Sequence, residues 1–396
     1  PVRAPPSASY SKQILDLSGI YFHIPFCKQS CPYCDFHFST SPKLMDRVVN
    51  ALAKEAVMRK EEAREPISTV YFGGGTPGLL SIEQLATVVN ALRANFDLTQ
   101  VEEFTLETNP DDVSSGKVQG WKSLGVDRLS MGIQSFNDAD LKWMNRAHDA
   151  KQATESVSIA KKEGIRRLTI DLIYGLPEMK LSDWEKNLRK TIDLEIDHIS
   201  AYCLTVEPQT ALGNWVAKGK ENPVDDDAAA SQYEFMVGLL AENGFQHYEV
   251  SNFALPGCES RHNSAYWEGI PFVALGPSAH GYNGNSRYFN VANNPRYCTA
   301  IERSTLPETR EKLSLTDRFN EWIMTGLRTA KGIRLERAER EFNMDLRSTC
   351  GKKIDDLIQS DLAQLNGDRL SLTEKGLFQA DGIASDFFIL EHEDQD

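Results

Sequence analysis

No stretch of the sequence approaches the roughly 18 consecutive apolar residues that a membrane-spanning helix requires, so a helical span is excluded. Positive charge is in deficit: 43 Lys and Arg stand against 57 Asp and Glu, a formal net charge of -14. That balance argues against a protein whose main task is gripping nucleic-acid phosphates. Cysteine is too scarce and too irregular for a disulfide framework. There are seven, an odd number, and Cys203, Cys258, Cys298 and Cys350 are scattered. This usage indicates a reducing compartment, and those four read as ordinary buried thiols. Internal repeats at a solenoid period and low-complexity blocks are also absent. The segment 1–18 is rich in Pro, Ser and Ala, and it lacks a secretory apolar core. It reads as a flexible tail, whether natively disordered, a remnant of cloning or a trimmed transit segment. The sequence does not start with Met, which fits all three.

What is present is enough for one large core and a smaller one: 396 residues, 41% of them hydrophobic. Short β-rich runs at 19–24, 69–72, 103–107, 128–131, 168–173 and 198–204 alternate with amphipathic stretches such as 44–60, 82–96 and 150–163. Six β-then-α units in series predict an α/β fold with a parallel sheet and right-handed crossovers. Six falls short of the eight of a closed barrel, so the expectation is an open, partial (βα)6 barrel over 19–208. The segment 209–307, rich in Gly, Asn and aromatics, reads as irregular chain completing one mouth of that barrel. From 308 to 396 the pattern is mostly helical, with helices predicted at 316–329, 335–342 and 346–360. Strands at 362–365 and 369–372 flank a Gly367-Asp368 turn, and Thr373 is placed to cap a last helix. Three helices and a hairpin predict a winged-helix-like domain. Its third helix with its edges, 345–361, carries four acids against three bases, which disfavours DNA as its ligand.

Directly after the first predicted strand come Cys27, Cys31 and Cys34. Thiolates are the natural ligands of iron–sulfur clusters, and three cysteines within eight residues can wrap one face of a four-iron cubane. The fourth iron is then left open for an exchangeable ligand. S-adenosylmethionine (SAM) can chelate such an iron through its amino and carboxylate groups. Spacing alone also admits three core cysteines, or a zinc site with His37 or His23 as fourth ligand.

The C-x3-C-x2-C spacing resembles the signature of the radical SAM superfamily. The preceding Tyr21-Phe-His-Ile-Pro-Phe-Cys27 resembles, more closely, the branch holding oxygen-independent coproporphyrinogen III oxidase and its heme-chaperone relatives. The resemblance spans about 19–390 and implies a [4Fe-4S] cluster on Cys27, Cys31 and Cys34 with SAM on its open iron. Gly73-Gly74-Gly75-Thr76-Pro77, closing the second predicted strand, looks like the family's GGGTP segment. Its glycines permit positive φ and close backbone approach, and Gly74, Gly75 and Thr76 are implied to meet the amino end of SAM. Glu107 is placed to accept from the ammonium, Gln134 and Asp171 to bond ribose hydroxyls, and Arg146, in the helix after the fourth strand, to pair with the carboxylate. Tyr21 matches a SAM-binding position as well.

The oxidases carry a fourth cysteine two residues after the third; here that position is Phe36, as in the heme-chaperone branch. His262-Asn263-x-x-Tyr266-Trp267 resembles that branch's heme motif, with imidazole as an axial ligand, Tyr266 offering a phenolate or a hydrogen bond, and Trp267 an aromatic wall for the macrocycle. His247 and His280 are secondary candidates. The implied function is a heme chaperone that binds heme and passes it to acceptor hemoproteins, with an electron donor such as a flavodoxin or ferredoxin serving the cluster. Nucleic acid is not an expected partner, whereas peripheral membrane contact stays open. The rival readings are coproporphyrinogen III oxidation to protoporphyrinogen IX and a radical SAM enzyme acting on another tetrapyrrole; whether SAM is cleaved is left open. The expected location is cytoplasmic, or a mitochondrial or plastid matrix in a eukaryote.

Overall fold

The computed structural model of the chain describes residues 18–63 and 66–389. The tail read from the sequence lies outside them, apart from Ser18, which opens the first strand. Strands β1 (Ser18–Ile24), β2 (Ile67–Gly74), β3 (Glu103–Thr108), β4 (Arg128–Gln134), β5 (Arg167–Tyr174) and β6 (His198–Cys203) pair in sequence order, every pair parallel. Between them run α1 (Met45–Met58), α2 (Ile82–Asn95), α3 (Ser115–Ser123), α4 (Asp138–Trp143), α5 (Ala150–Lys162) and α6 (Leu181–Asp193). This is the six-unit α/β barrel that the alternation predicts.

Local chemistry starts the helices where they begin. Ser81 with Gln84, and Asp149 with Gln152, form reciprocal capping boxes that satisfy otherwise orphaned N–H groups at the starts of α2 and α5. Val48, Leu52 and Ala56 of α1, and Leu85, Val88, Val89 and Leu92 of α2, recur at helical spacing and are buried in one core with Ile20, Phe22, Val70 and Phe72 of the sheet.

The segment read as irregular is instead mostly regular. It holds α7 (Ala211–Ala217), α8 (Asp226–Glu242), β7 (Gln246–Glu249), β8 (Asn252–Ala254), α9 (Arg261–Trp267), β9 (Phe272–Leu275), β10 (His280–Tyr282), β11 (Ser286–Asn290) and α10 (Asn294–Glu302). The sheet also continues past Pro307 into β12 (Glu308–Lys312), which pairs with β11. Among the described residues the sheet has twelve strands, in the order β12-β11-β10-β9-β1-β2-β3-β4-β5-β6-β8-β7. One segment therefore dresses both open edges of the barrel: β8 lies antiparallel to β6, and β9 lies parallel to β1. The crossing from one edge to the other is made by α9.

That helix lies under the N-terminal ends of the strands. The amides of Arg261 and His262 donate to the carboxylate of Glu103, the first residue of β3, and the Gly19 backbone of β1 lies beside the His262 ring. The cysteine loop follows the C-terminal end of β1. The heme-like motif thus lies at the end of the barrel opposite the cysteines.

The C-terminal part comprises α11 (Leu315–Leu327), β13 (Ile333–Arg334), α12 (Leu335–Phe342), α13 (Leu346–Gln359), β14 (Ala363–Asn366), β15 (Arg369–Leu372), α14 (Glu374–Leu377) and α15 (Ala380–Ser385). Its core, around Phe319, Ile323, Leu327, Ile354 and Leu370, is separate from that of the barrel. The hairpin turns at Gly367 with φ +66°, and Thr373 caps α14 by accepting from Gly376 N. Of the four scattered cysteines only Cys298 is buried; Cys203, Cys258 and Cys350 are half-buried. Their exposure corrects the sequence reading.

Candidate functional site

The cysteine loop leaves β1 and is pinched at its base, where Cys27 N donates to Ser39 O at 3.1 Å and Ser39 N to Pro25 O at 2.9 Å. Three ties hold it over the strand ends. Lys28 Nζ pairs with Asp111 and Asp112 after β3 at 2.6 and 2.5 Å; Asn145 Nδ2 donates to Ser30 O at 2.8 Å; Leu212 N of α7 donates to Pro32 O at 2.8 Å.

The donor set fits a cluster better than the alternatives. His23 spends both ring nitrogens, Nδ1 on the Tyr21 hydroxyl at 3.2 Å and Nε2 on His37 O at 2.9 Å, and His37 Nε2 bonds Asn294 Oδ1 at 2.8 Å. Among the described residues no three His, Cys, Asp or Glu side chains converge on a point that could hold a single ion. A cubane asks for no such convergence, because each thiolate binds a different iron. Cys27, Cys31 and Cys34 are half-buried and so are not core cysteines, although Cys203, Cys258 and Cys350 share that exposure. Burial pushes the Cys27 thiol up to about 11 and raises that of Cys34 too, a cost that ligation to iron offsets. Two donors face the sulfurs: Thr76 Oγ1 lies 3.7 Å from Cys27 Sγ, and Arg146 Nη1 lies 3.3 Å from Cys31 Sγ. Two buried groups of this neighbourhood, Arg146 Nε and the Tyr33 hydroxyl, have no hydrogen-bond partner among the described residues.

The glycine segment packs against the loop. Gly75 N donates to Ile24 O and Thr76 N to Phe26 O, while a Cβ on Gly75 would stand 2.6 Å from Phe26 O. Gly74 has φ +107°, and its amide donates to Glu107 Oε2 at 3.2 Å. Glu107 Oε1 accepts from the Tyr71 hydroxyl at 2.7 Å. Burial holds the Glu107 carboxyl up to about 7, and burial with the nearby Glu107 charge does the same to Asp171. Ser130 Oγ donates to Asp171 at 3.1 Å. Gln134 ends β4 after a register shift with φ +70°, a left-handed conformation that turns it out of the strand.

Arg146 differs from expectation: it follows α4 in a turn instead of lying in a helix. Its Nη2 is engaged by Asn109 Oδ1 at 2.5 Å and Gly132 O at 2.8 Å. Asn109, which the sequence reading missed, also donates to Thr76 Oγ1 at 3.1 Å and so links the glycine segment to Arg146. Gly132 was missed as well. A Cβ there would lie 2.9–3.1 Å from Asn109, Gln134 and Arg146, so its lack of side chain lets the three meet. Phe36, in the same loop as the cysteines, is 70% exposed and has no place in the core.

At the other end, the four motif residues of α9 do not converge. His262 Nδ1 is 2.9 Å from Thr69 Oγ1, and its ring stacks on Tyr71 at 5.0 Å and Tyr21 at 6.4 Å. Burial pushes the His262 ring down to about 4, so it is neutral near pH 7. Asn263 faces a polar cavity of about 40 Å³ inside the barrel, shared with Glu107, Ser130, Asp171 and His198. Tyr266, one turn on from His262, shares its contact with Phe272 and is half exposed. Trp267 packs under the Arg328 guanidinium at 5.2 Å. His247 is committed to Glu374 Oε2 at 2.5 Å, whereas His280 is exposed.

Comparison with known proteins bears on this arrangement. The radical SAM superfamily matches over residues 21–191, and the HemN C-terminal domain over 313–378. The heme chaperone HemW of Lactococcus lactis is 35% identical over 94% of this chain and 97% of its own length. The chain belongs to the HemW family. HemW of Bacillus subtilis is 32% identical over 91% of the chain and 96% of its own length. Membership of the HemW family, with its radical SAM domain, brings a [4Fe-4S] cluster and SAM as cofactors. The fold is also that of coproporphyrinogen III oxidase (HemN) from Escherichia coli, with a TM-score of 0.80 at 22% identity over 93% of this chain and 89% of the other. Among the described residues no helix is long and apolar enough to cross a membrane.

Proposed function

We propose that this chain is a heme chaperone: it binds one heme and hands it to an acceptor hemoprotein in a reducing compartment. The observation that carries this reading is the state of His262. Thr69 Oγ1 engages Nδ1, and Nε2 makes no hydrogen bond to the described residues. A neutral imidazole with Nδ1–H fixed by an acceptor presents its Nε2 lone pair to a metal. Tyr266 stands beside it at the surface to flank a porphyrin.

Cys27, Cys31 and Cys34 would hold the cluster. Glu107 would accept the SAM ammonium beside Gly74, Gly75 and Thr76, and Asp171 and Gln134 the ribose hydroxyls, with Tyr21 behind them. When bound, the cluster supplies a single electron to SAM, drawn from a flavodoxin or ferredoxin. Arg146 and Thr76 keep positive partial charge against the cysteine sulfurs, and the ties on the loop keep the three thiols in place.

The test is a heme titration followed at the Soret band, run beside an anaerobic coproporphyrinogen III assay with SAM and reductant. The expected outcome is stoichiometric heme binding by the wild type and by Cys31→Ser, a lost or shifted Soret band in His262→Ala, and no decarboxylation. Cys31→Ser is expected to lose the roughly four irons of a cubane. Turnover to protoporphyrinogen IX without heme binding would replace this reading with the oxidase.

A further inference from the structure

A closed eight-stranded barrel is packed by layers of branched apolar side chains. Here the cavity is walled by polar side chains, from Glu107 and Asp171 near one end to Asn263 of α9 at the other. The residue that spans the two ends is Tyr71, in the middle of β2. Its hydroxyl donates to Glu107 Oε1 at 2.7 Å, and its ring lies on the His262 imidazole with centroids 5.0 Å apart and planes 28° from parallel. Gly73 leaves the pair room to meet, since a Cβ there would stand 2.8 Å from the Tyr71 ring and 2.9 Å from Glu107 Oε1. Tyr21 stacks on the Tyr71 ring at 6.0 Å, so the ring is confined between two neighbours.

We infer that Tyr71 is a positioning residue that couples occupancy of the Glu107 site to the presentation of His262 for heme. The inference rests on the reading above that SAM meets Glu107 and heme meets His262. An ammonium at Glu107 demands the ionised carboxylate, and an ionised acceptor roughly doubles the strength of the hydrogen bond it receives. The Tyr71 hydroxyl is then held to one direction, and its ring holds the imidazole stacked on it in place. Without the ammonium, the buried carboxyl takes up a proton near neutrality and holds Tyr71 less firmly. SAM and heme therefore favour each other. Linkage requires the effect to be equal in both directions: the factor by which SAM tightens heme is the factor by which heme tightens SAM.

The experiment uses the cluster-loaded full chain with its cluster oxidised and no reductant, so that SAM is not consumed. Heme affinity is measured with and without saturating SAM, and SAM affinity with and without heme. The expected result is a coupling factor of about tenfold in the wild type, equal in both directions. In Tyr71→Phe, which keeps the ring and removes the hydroxyl, the factor falls to within about twofold of one; Glu107→Gln, with no ionised acceptor, loses it likewise. Tyr233→Phe, remote in α8, keeps it. Equal heme affinities with and without SAM in the wild type would overturn the coupling while leaving heme binding itself intact. Full coupling in Tyr71→Phe would remove Tyr71 from the role. A wild type that binds no heme would fell the chaperone reading, and the coupling with it.

Discussion

The guanidinium of Arg146 lies against the sulfur of Cys31, with Nη1 and Sγ 3.3 Å apart. Its Nη2 is taken up by Asn109 and the Gly132 carbonyl, while Nε has no hydrogen-bond partner among the described residues. The residue read from the sequence as a clamp for the SAM carboxylate thus also supports a cluster ligand. Arg146→Ala should weaken SAM binding by about 1.5–3 kcal/mol, the worth of a hydrogen bond to a charged group. The same variant should lose iron to a chelator faster than the wild type. Calorimetry and iron release check the two effects separately; unchanged iron release would show that the contact with Cys31 is incidental.

The buried carboxyls give a pH signature. Glu107 and Asp171 are raised to about 7 in the ligand-free fold, so between the ordinary carboxylate range and about pH 7 the folded chain holds protons that the unfolded chain has released. Stability from these groups is present below that range and is lost as pH rises toward 7. Glu107→Gln should therefore gain stability relative to the wild type as pH rises from about 4.5 to about 7, with a constant difference above. Using the difference removes the opposing contribution of His23, His148 and His262, whose rings are held down to about 4. Urea unfolding across this range measures it, and a difference independent of pH would contradict the burial of Glu107.

The barrel strands were legible because they are short, largely apolar runs, most of them rich in β-branched or aromatic residues, that alternate with amphipathic stretches; the 103–107 run lies within β3, Glu103–Thr108. The strands between Gln246 and Lys312 were not. They are three to five residues long, and β12 is Glu-Thr-Arg-Glu-Lys, with no apolar alternation. Such a strand exists because β11 offers it a ladder, a cause that no local window contains. The site divides the same way. Cysteine spacing and the glycine run are local signals, whereas Asn109, Gly132 and Tyr71 matter only through partners on other strands. The position of α9 under the barrel was hidden for the same reason, since it depends on Glu103 receiving the Arg261 and His262 amides.

Thr69 tests the orientation of the proposed heme ligand without removing it. Thr69→Val keeps the shape of the side chain and deletes the oxygen that engages His262 Nδ1. Loss of a partner behind a metal-ligating imidazole typically costs 10–100-fold in affinity, so heme should bind about that much more weakly, with less spectral change than in His262→Ala. A Soret titration equal to that of the wild type would show that Thr69 does not set the ring.

The winged-helix-like domain should show no salt-sensitive affinity for duplex DNA. Its helix α13 begins at the acidic cap Asp345 and carries Asp355 and Asp356, which oppose phosphate. Fluorescence anisotropy checks this; submicromolar binding at physiological ionic strength, lost steeply with added salt, would overturn it.

The pairing of β1 with β9 has a consequence for assembly during synthesis. Gly19 lies opposite Phe272 in the register, so the first strand of the barrel keeps one bare edge until most of the chain has left the ribosome. The cysteine loop is anchored early, through Asp111 and Asp112 and the neighbouring β2, whereas the helix bearing His262 arrives just before β9 closes that edge. A nascent chain can thus acquire its iron–sulfur ligands in place before the opposite end of the barrel exists. Such late, long-range pairing is slow and leaves strand edges exposed, which makes the interval before β9 docks the one most open to aggregation.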